Sequence, residues 1–181
     1  MHGIIFTELR NYVTSALGQD AWPALIKEAG LEGKSYLPVK EYPDAEAGAL
    51  VTAAARLTKK PAGAVMEGFG VFLAPKLLAM YRSLIDPSWR TLDVIENTEQ
   101  TIHRVVRIRN PGAHPPALKA TRTSPKEVVL LYNSPRRMCN VAIGIAKGLG
   151  VHFDENIGVT ETRCMHRGAA ECEIVIRKMA L

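Results

Sequence analysis

The chain has 181 residues, 47% of them apolar and 23% charged, which is the profile of one soluble globular domain whose core is large enough to hold a ligand. Disorder, collagen and a coiled coil are excluded, and no uncharged run exceeds nine residues, against the ~20 that a membrane helix needs. The net charge of +5 is local: residues 104–137 hold eight Lys/Arg against Glu127 alone, so this stretch carries +7 and the rest −2. Such an excess suits either a surface for an anionic partner or a pocket for an anionic ligand.

The first hundred residues read as helices. Ile4, Ile5, Leu9, Tyr12, Val13, Ala16 and Leu17 recur at helical spacing until Gly18. Glu8 and Arg10 follow Ile4-Ile5-Phe6 too closely for a secretory leader. Pro23 opens a short helix that Gly30 closes, and Pro43-Asp44 precedes one with Ala47, Leu50, Val51, Ala54 and Leu57 on its apolar face. Pro61 starts a helix through Val65, Phe69 and Leu73, which Pro75 is expected to kink or restart before Leu77 to Leu84. Asp86-Pro87-Ser88 introduces a helix from about Trp89 to Arg104, along which Leu92, Ile95 and Ile102-His103 recur.

After His103 the texture changes. Asn110-Pro111-Gly112 and Pro115-Pro116 make a stiff connection. Leu118 to Thr123 and Glu127 to Tyr132 read as strands around the turn Ser124-Pro125-Lys126. Met138 to Leu149 is helical, with Gly150 as its stop. Val159 to Cys164 and Cys172 to Arg177 form a last hairpin around His166-Arg167-Gly168-Ala169. The fold class is therefore α+β: a helical N-terminal part, 1–60, then an antiparallel sheet with one packed helix, 61–181. Neither repeat nor linker divides the chain, so one domain over 1–181 is expected.

Three constellations carry chemistry. In Tyr132-Asn133-Ser134-Pro135-Arg136, extended backbone points positions 132, 134 and 136 the same way, making two hydroxyls and a guanidinium a carboxylate clamp. The same residues also suit a helix start, with Ser134 as N-cap and Pro135 at the first helical position. His103 borders an apolar helix stripe, either as a hydrogen-bonded core residue or as a neutral imidazole ligating a metal or haem iron. Cys139, Cys164 and Cys172 are an odd count that argues against a disulfide framework and for a reducing cytoplasm.

Together these features resemble the bacterial haem-nitric oxide/oxygen-binding (H-NOX) domains. The resemblance spans nearly the whole chain. It includes Met1-His2-Gly3-Ile4-Ile5-Phe6, Tyr42-Pro43-Asp44, Gly68-Phe69-Gly70 with Phe72, His103 followed by Pro111-Gly112-Ala113-His114-Pro115-Pro116, and Tyr132-x-Ser134-x-Arg136. It implies a non-covalent haem b between the two parts of the chain, with His103 as iron ligand and the propionates on Tyr132, Ser134 and Arg136. Pro116 would press on the porphyrin and Ile5 would pack near the opposite haem edge. Oxygen-binding relatives place a tyrosine five positions after the signature arginine; Val141 stands there. This implies nitric oxide as ligand, carbon monoxide as another, and poor oxygen retention, unless Tyr12 or Tyr81 reaches in.

The implied activity is a switch without enzymatic function. Nitric oxide releases His103 from iron, and the helices shift against the C-terminal half. The signal would pass to a separate histidine kinase or cyclic-di-GMP enzyme, with neither nucleic acid nor membrane as partner. One subset of the family binds zinc through three matching cysteines and a histidine three residues before the middle one. Glu161 occupies that position here, so Glu161, His166 or water would complete the site; three packed thiols are the plainer reading. Rival readings are a nucleic-acid binder, a haem-free ligand or zinc domain of the 4-vinyl-reductase type sharing Glu161, Cys164, Gly168 and Cys172, and a haem enzyme. The first has thin aromatic content at 6%, and the last lacks distal acid–base residues.

Overall fold

A computed structural model describes residues 1–110 and 112–180; Pro111, part of the expected stiff connection, and Leu181 lie outside the described residues. The chain divides into two units, Met1–Phe69 and Gly70–Leu181. The division falls inside a helix.

The first unit is helical. In α1 (Gly3–Leu17), Phe6, Leu9 and Val13 recur at helical spacing and are buried. Gly3 is required there, because a Cβ would lie 1.9 Å from the Leu37 carbonyl oxygen. Helix α2 (Ala21–Glu28) buries Leu25 and Ile26. Helix α3 (Asp44–Thr58) opens on Asp44 and Glu46, acids that suit a helix N-terminus. Glu46 is buried yet stays ionised. Burial pushes its carboxyl up, and hydrogen bonds from Lys34 (2.8 Å) and Tyr36 (2.9 Å) outweigh this and hold it below the usual range. Tyr36 in turn stacks on Phe6 with ring centroids 4.3 Å apart.

Helix α4 (Ala62–Met80) runs through Pro75 without interruption, so the expected restart does not occur. One intrahelical hydrogen bond is lost there. Gly70 and Ala74 on this segment pack against the sheet-covering helix described below. The chain then closes on a 3₁₀ turn, Arg82–Leu84, and not on a further helical turn. Among the described helices, α4 alone is long and apolar enough to cross a membrane; a count of uncharged runs misses it because Glu67 and Lys76 interrupt it. Along it Val65, Phe69, Leu73, Ala74 and Leu78 are buried.

In the second unit, α5 (Thr91–Asn97) starts where the Asp93 carboxylate accepts from the Arg90 N–H at 2.9 Å. A π-helical turn, Glu99–His103, and then α6 (Arg104–Arg109) continue it beyond the end expected at Arg104. Four strands follow: β1 (Ala117–Ser124), β2 (Glu127–Asn133), β3 (Ile157–Arg163) and β4 (Cys172–Lys178), in antiparallel order β1-β2-β4-β3. Register places Val128 opposite Ile176, Leu130 opposite Ile174 and Tyr132 opposite Cys172, all buried on one face. Helix α7 (Cys139–His152) covers that face with Cys139, Ile143, Ala146 and Leu149. It passes Gly150, expected to stop it; the glycine there answers to packing, since a Cβ would lie 2.7 Å from the Ile157 side chain. The helix ends just before Asp154, which takes a left-handed φ of 54°.

Candidate functional site

His103 is the last residue of the π-helical turn, and its N–H bonds the Thr98 carbonyl five residues back, at 3.0 Å. Such turns recur at functional sites, because one extra residue re-aims a side chain. The imidazole is largely buried, and its Nδ1 lies 3.0 Å from the Glu99 carboxylate. Burial pulls the ring below its ordinary value, against the opposing pull of Glu99, so the ring is neutral at pH 7. The Pro116 carbonyl beside the ring also pulls it upward, without reversing the effect of burial. Glu99 also accepts from Arg107 (2.7 Å) and from the Leu118 N–H (3.2 Å). Burial pushes its carboxyl up, but these hydrogen bonds prevail and hold it low, hence ionised. The sequence motifs do not single out Glu99, although a carboxylate four residues before a helical histidine shares its face and is the one signal that could have found it.

Tyr132 and Ser134 are buried and mutually hydrogen-bonded, and burial raises the phenol. The Ser134 hydroxyl accepts from the Arg136 N–H at 3.3 Å, and the Arg136 guanidinium donates to the His114 carbonyl. Residues 112–116 therefore touch both groups: His114 meets Arg136, and Pro116 meets His103. The helix-start reading of Ser134-Pro135 is corrected. Helix α7 begins at Cys139 with Met138 as its N-cap, and residues 134–137 form a turn closed by Arg137 N–H to Ser134 carbonyl at 3.0 Å. Arg137 takes a left-handed φ of 51° there, which separates the clamp from the helix.

The chemistry of this donor set fits haem. A neutral imidazole with Nδ1 engaged offers Nε2 to iron, and two hydroxyls beside a guanidinium suit a carboxylate.

The three cysteines are free thiols and buried. Sγ of Cys164 lies 3.8 Å from that of Cys139 and 3.9 Å from that of Cys172. Glu161 joins them because it pairs with Ile174 and so points to the buried face. The four ligand atoms lie within 4.8 Å of one another, and Glu161 Oε1 is buried without a hydrogen-bond partner. His166 stands apart: it is exposed, and its Nε2 sits 2.7 Å from the Arg137 carbonyl. Of the three fourth ligands considered from sequence, the geometry brings in Glu161.

Ile5 is half-buried on α1, and Val141 is half-buried on the first turn of α7, where its carbonyl faces Gly70. Tyr12 packs on Gly68 and Phe69, and burial raises the phenols of Tyr12 and Tyr81. The basic stretch is partly neutralised at home. Arg107 pairs with Glu99, and Arg122 pairs with Asp93 (2.7 Å) and Glu96 (2.8 Å), acids that lie outside the stretch in the linear sequence.

The sequence model of the haem-NO-binding family matches residues 2–161. The chain belongs to that family. A crystal structure of an H-NOX protein from S. oneidensis in the Fe(II)NO ligation state is similar, with a TM-score of 0.91 at 27% identity, covering 99% of this chain and 100% of that one. The NMR structure of an H-NOX domain from Shewanella oneidensis in the Fe(II)CO ligation state gives 0.88 at 26%, covering both chains fully (100% and 100%). An Fe(II) unliganded H-NOX protein from K. algicida shares the fold at 21% identity, with a TM-score of 0.89 over 100% of this chain and 98% of that one. No curated protein matches the chain. The α+β architecture is thus that of the H-NOX proteins, a family of haem-based gas sensors.

Proposed function

We propose that this H-NOX chain is a nitric oxide sensor, one haem-binding domain over 1–181 that signals to a separate effector and catalyses no reaction. The neutral, Glu99-anchored imidazole of His103 carries the reading. His103 would ligate a haem b through Nε2, and the absence of Cys-x-x-Cys-His fits non-covalent binding. Tyr132, Ser134 and Arg136 would hold the propionates, Pro116 would bear on the porphyrin, and Ile5 and Val141 would line it. Ferrous haem, when bound, would supply the metal centre to which nitric oxide binds. Val141 donates no hydrogen bond, so the residue at the family's oxygen-stabilising position favours nitric oxide, with carbon monoxide as a further ligand. Release of His103 would be the signal, read by a histidine kinase or a cyclic-di-GMP enzyme. Three free thiols suit the reducing cytoplasm.

Visible spectroscopy of the purified ferrous protein tests this: a Soret band should shift when nitric oxide is added. A stable oxygenated spectrum in air would overturn the ligand preference.

Zinc is the second cofactor we propose, on Cys139, Cys164, Cys172 and Glu161. The buried, unpartnered Glu161 oxygen supports it, since tetrahedral zinc accepts a carboxylate with three thiolates. Protein purified without chelator should hold about one zinc per chain, and Cys172→Ser should lose it. Absence of zinc from the unsubstituted protein would leave the thiols as core packing.

A further inference from the structure

We propose that Glu99 is a positioning residue that sets how tightly His103 holds iron, with Arg107 as its counterweight. The inference rests on the assignment of His103 as iron ligand.

Three observations meet at one carboxylate. Its Oε2 takes both His103 Nδ1 at 3.0 Å and the Leu118 N–H at 3.2 Å, while Oε1 takes Arg107 at 2.7 Å. The π-helical turn spans Glu99–His103, so its extra residue lies between the two partners and sets their approach. The Leu118 contact ties this helical turn to the beginning of β1, so the imidazole is referenced to the sheet as well as to its own helix.

The chemical consequence follows. A carboxylate accepting from Nδ1–H keeps the proton on that nitrogen, leaves the Nε2 lone pair for the metal, and raises its basicity. Arg107 and the Leu118 amide draw charge from the same carboxylate, and so moderate the effect. Glu99 therefore strengthens the His103–iron bond, and Arg107 weakens it. In a sensor whose signal is loss of that bond, this balance sets the threshold.

The test is resonance Raman spectroscopy of the ferrous, unliganded holoprotein, reading the iron–histidine stretching band. Glu99→Gln, which keeps size but removes charge, should shift the band to lower frequency. Arg107→Gln should shift it to higher frequency, an opposite sign that a merely structural role would not produce. Under nitric oxide, Glu99→Gln should raise the fraction of protein that has lost the histidine ligand, and Arg107→Gln should lower it. An unmoved band in both variants would overturn the proposal. Persistence of the same band in His103→Gly would instead overturn the ligand assignment beneath it.

Discussion

Replacing His103 by Gly should abolish the iron–histidine vibration and weaken haem retention by more than the roughly 10- to 100-fold that loss of a hydrogen-bonding partner of a metal ligand costs. The fold should survive, because Glu99 keeps Arg107 and the Leu118 N–H when the imidazole is gone. Haem should still bind weakly through the Tyr132, Ser134 and Arg136 donors. Added imidazole should restore both affinity and spectrum, since only a ring nitrogen has been removed. Haem titration with and without imidazole measures this. Wild-type retention and an unchanged spectrum in His103→Gly would show that iron is held elsewhere. If release of the ligand is the signal, the variant should also regulate an effector as the nitric oxide complex does, and unchanged regulation would sink the release model.

Gly148→Val should be strongly damaging to the second unit. A Cβ at Gly148 would stand 2.7 Å from the Val71 carbonyl oxygen and 3.0 Å from the Val71 Cα, so backbone and not a flexible side chain must yield. Gly70 meets Val141 and Gly144 backbone still more closely from the other side. The two helices are thus in near-contact along α4 and α7, and two added branches would force them apart. Overpacking of this kind costs up to about 3 kcal/mol, or roughly 6–12 °C in Tm for a chain of this size. Gly48→Ala is the control: nothing lies within 4 Å of its position, and it sits inside α3. Alanine there should stabilise by about 0.5–1 kcal/mol. Thermal unfolding followed by circular dichroism reads both, and equal midpoints for the two variants would remove the close-packing account.

Much of the site is legible in the amino-acid sequence alone. Tyr132 and Ser134 stand two apart at the end of β2, as an extended period expects, but the strand stops at Asn133 and the chain turns at 134–137, so the reach of Arg136 is set by that turn and not by the period. Cys164 and Cys172 flank a turn, so their approach is readable from the hairpin. Glu161 facing the thiols requires the register of β3 against β4, and His166 leaving the cluster requires the turn geometry around Arg137. Neither is encoded in spacing.

Helix ends depart from expectation where tertiary contacts override local signals. Pro75 and Gly150 both weaken a helix in isolation, yet α4 and α7 continue through them. Both segments are packed in place, α4 against the α7 backbone and Gly150 against the Ile157 side chain, and tertiary context of this kind overrides local propensity.

The net positive charge shows the division most clearly. By itself the sequence determined a soluble-type composition, an α+β order of elements, a histidine on a helix and a basic stretch from 104 to 137. Those are properties of neighbours along the chain, set by period, breakers and side-chain chemistry. Only the tertiary structure decided what the charges do: Arg122 goes to Asp93 and Glu96, Arg107 to Glu99, and Arg136 to the loop beside His103. Electrostatic partners are chosen by distance in space, and that distance exists only once β1 lies against α5 and the π-helical turn.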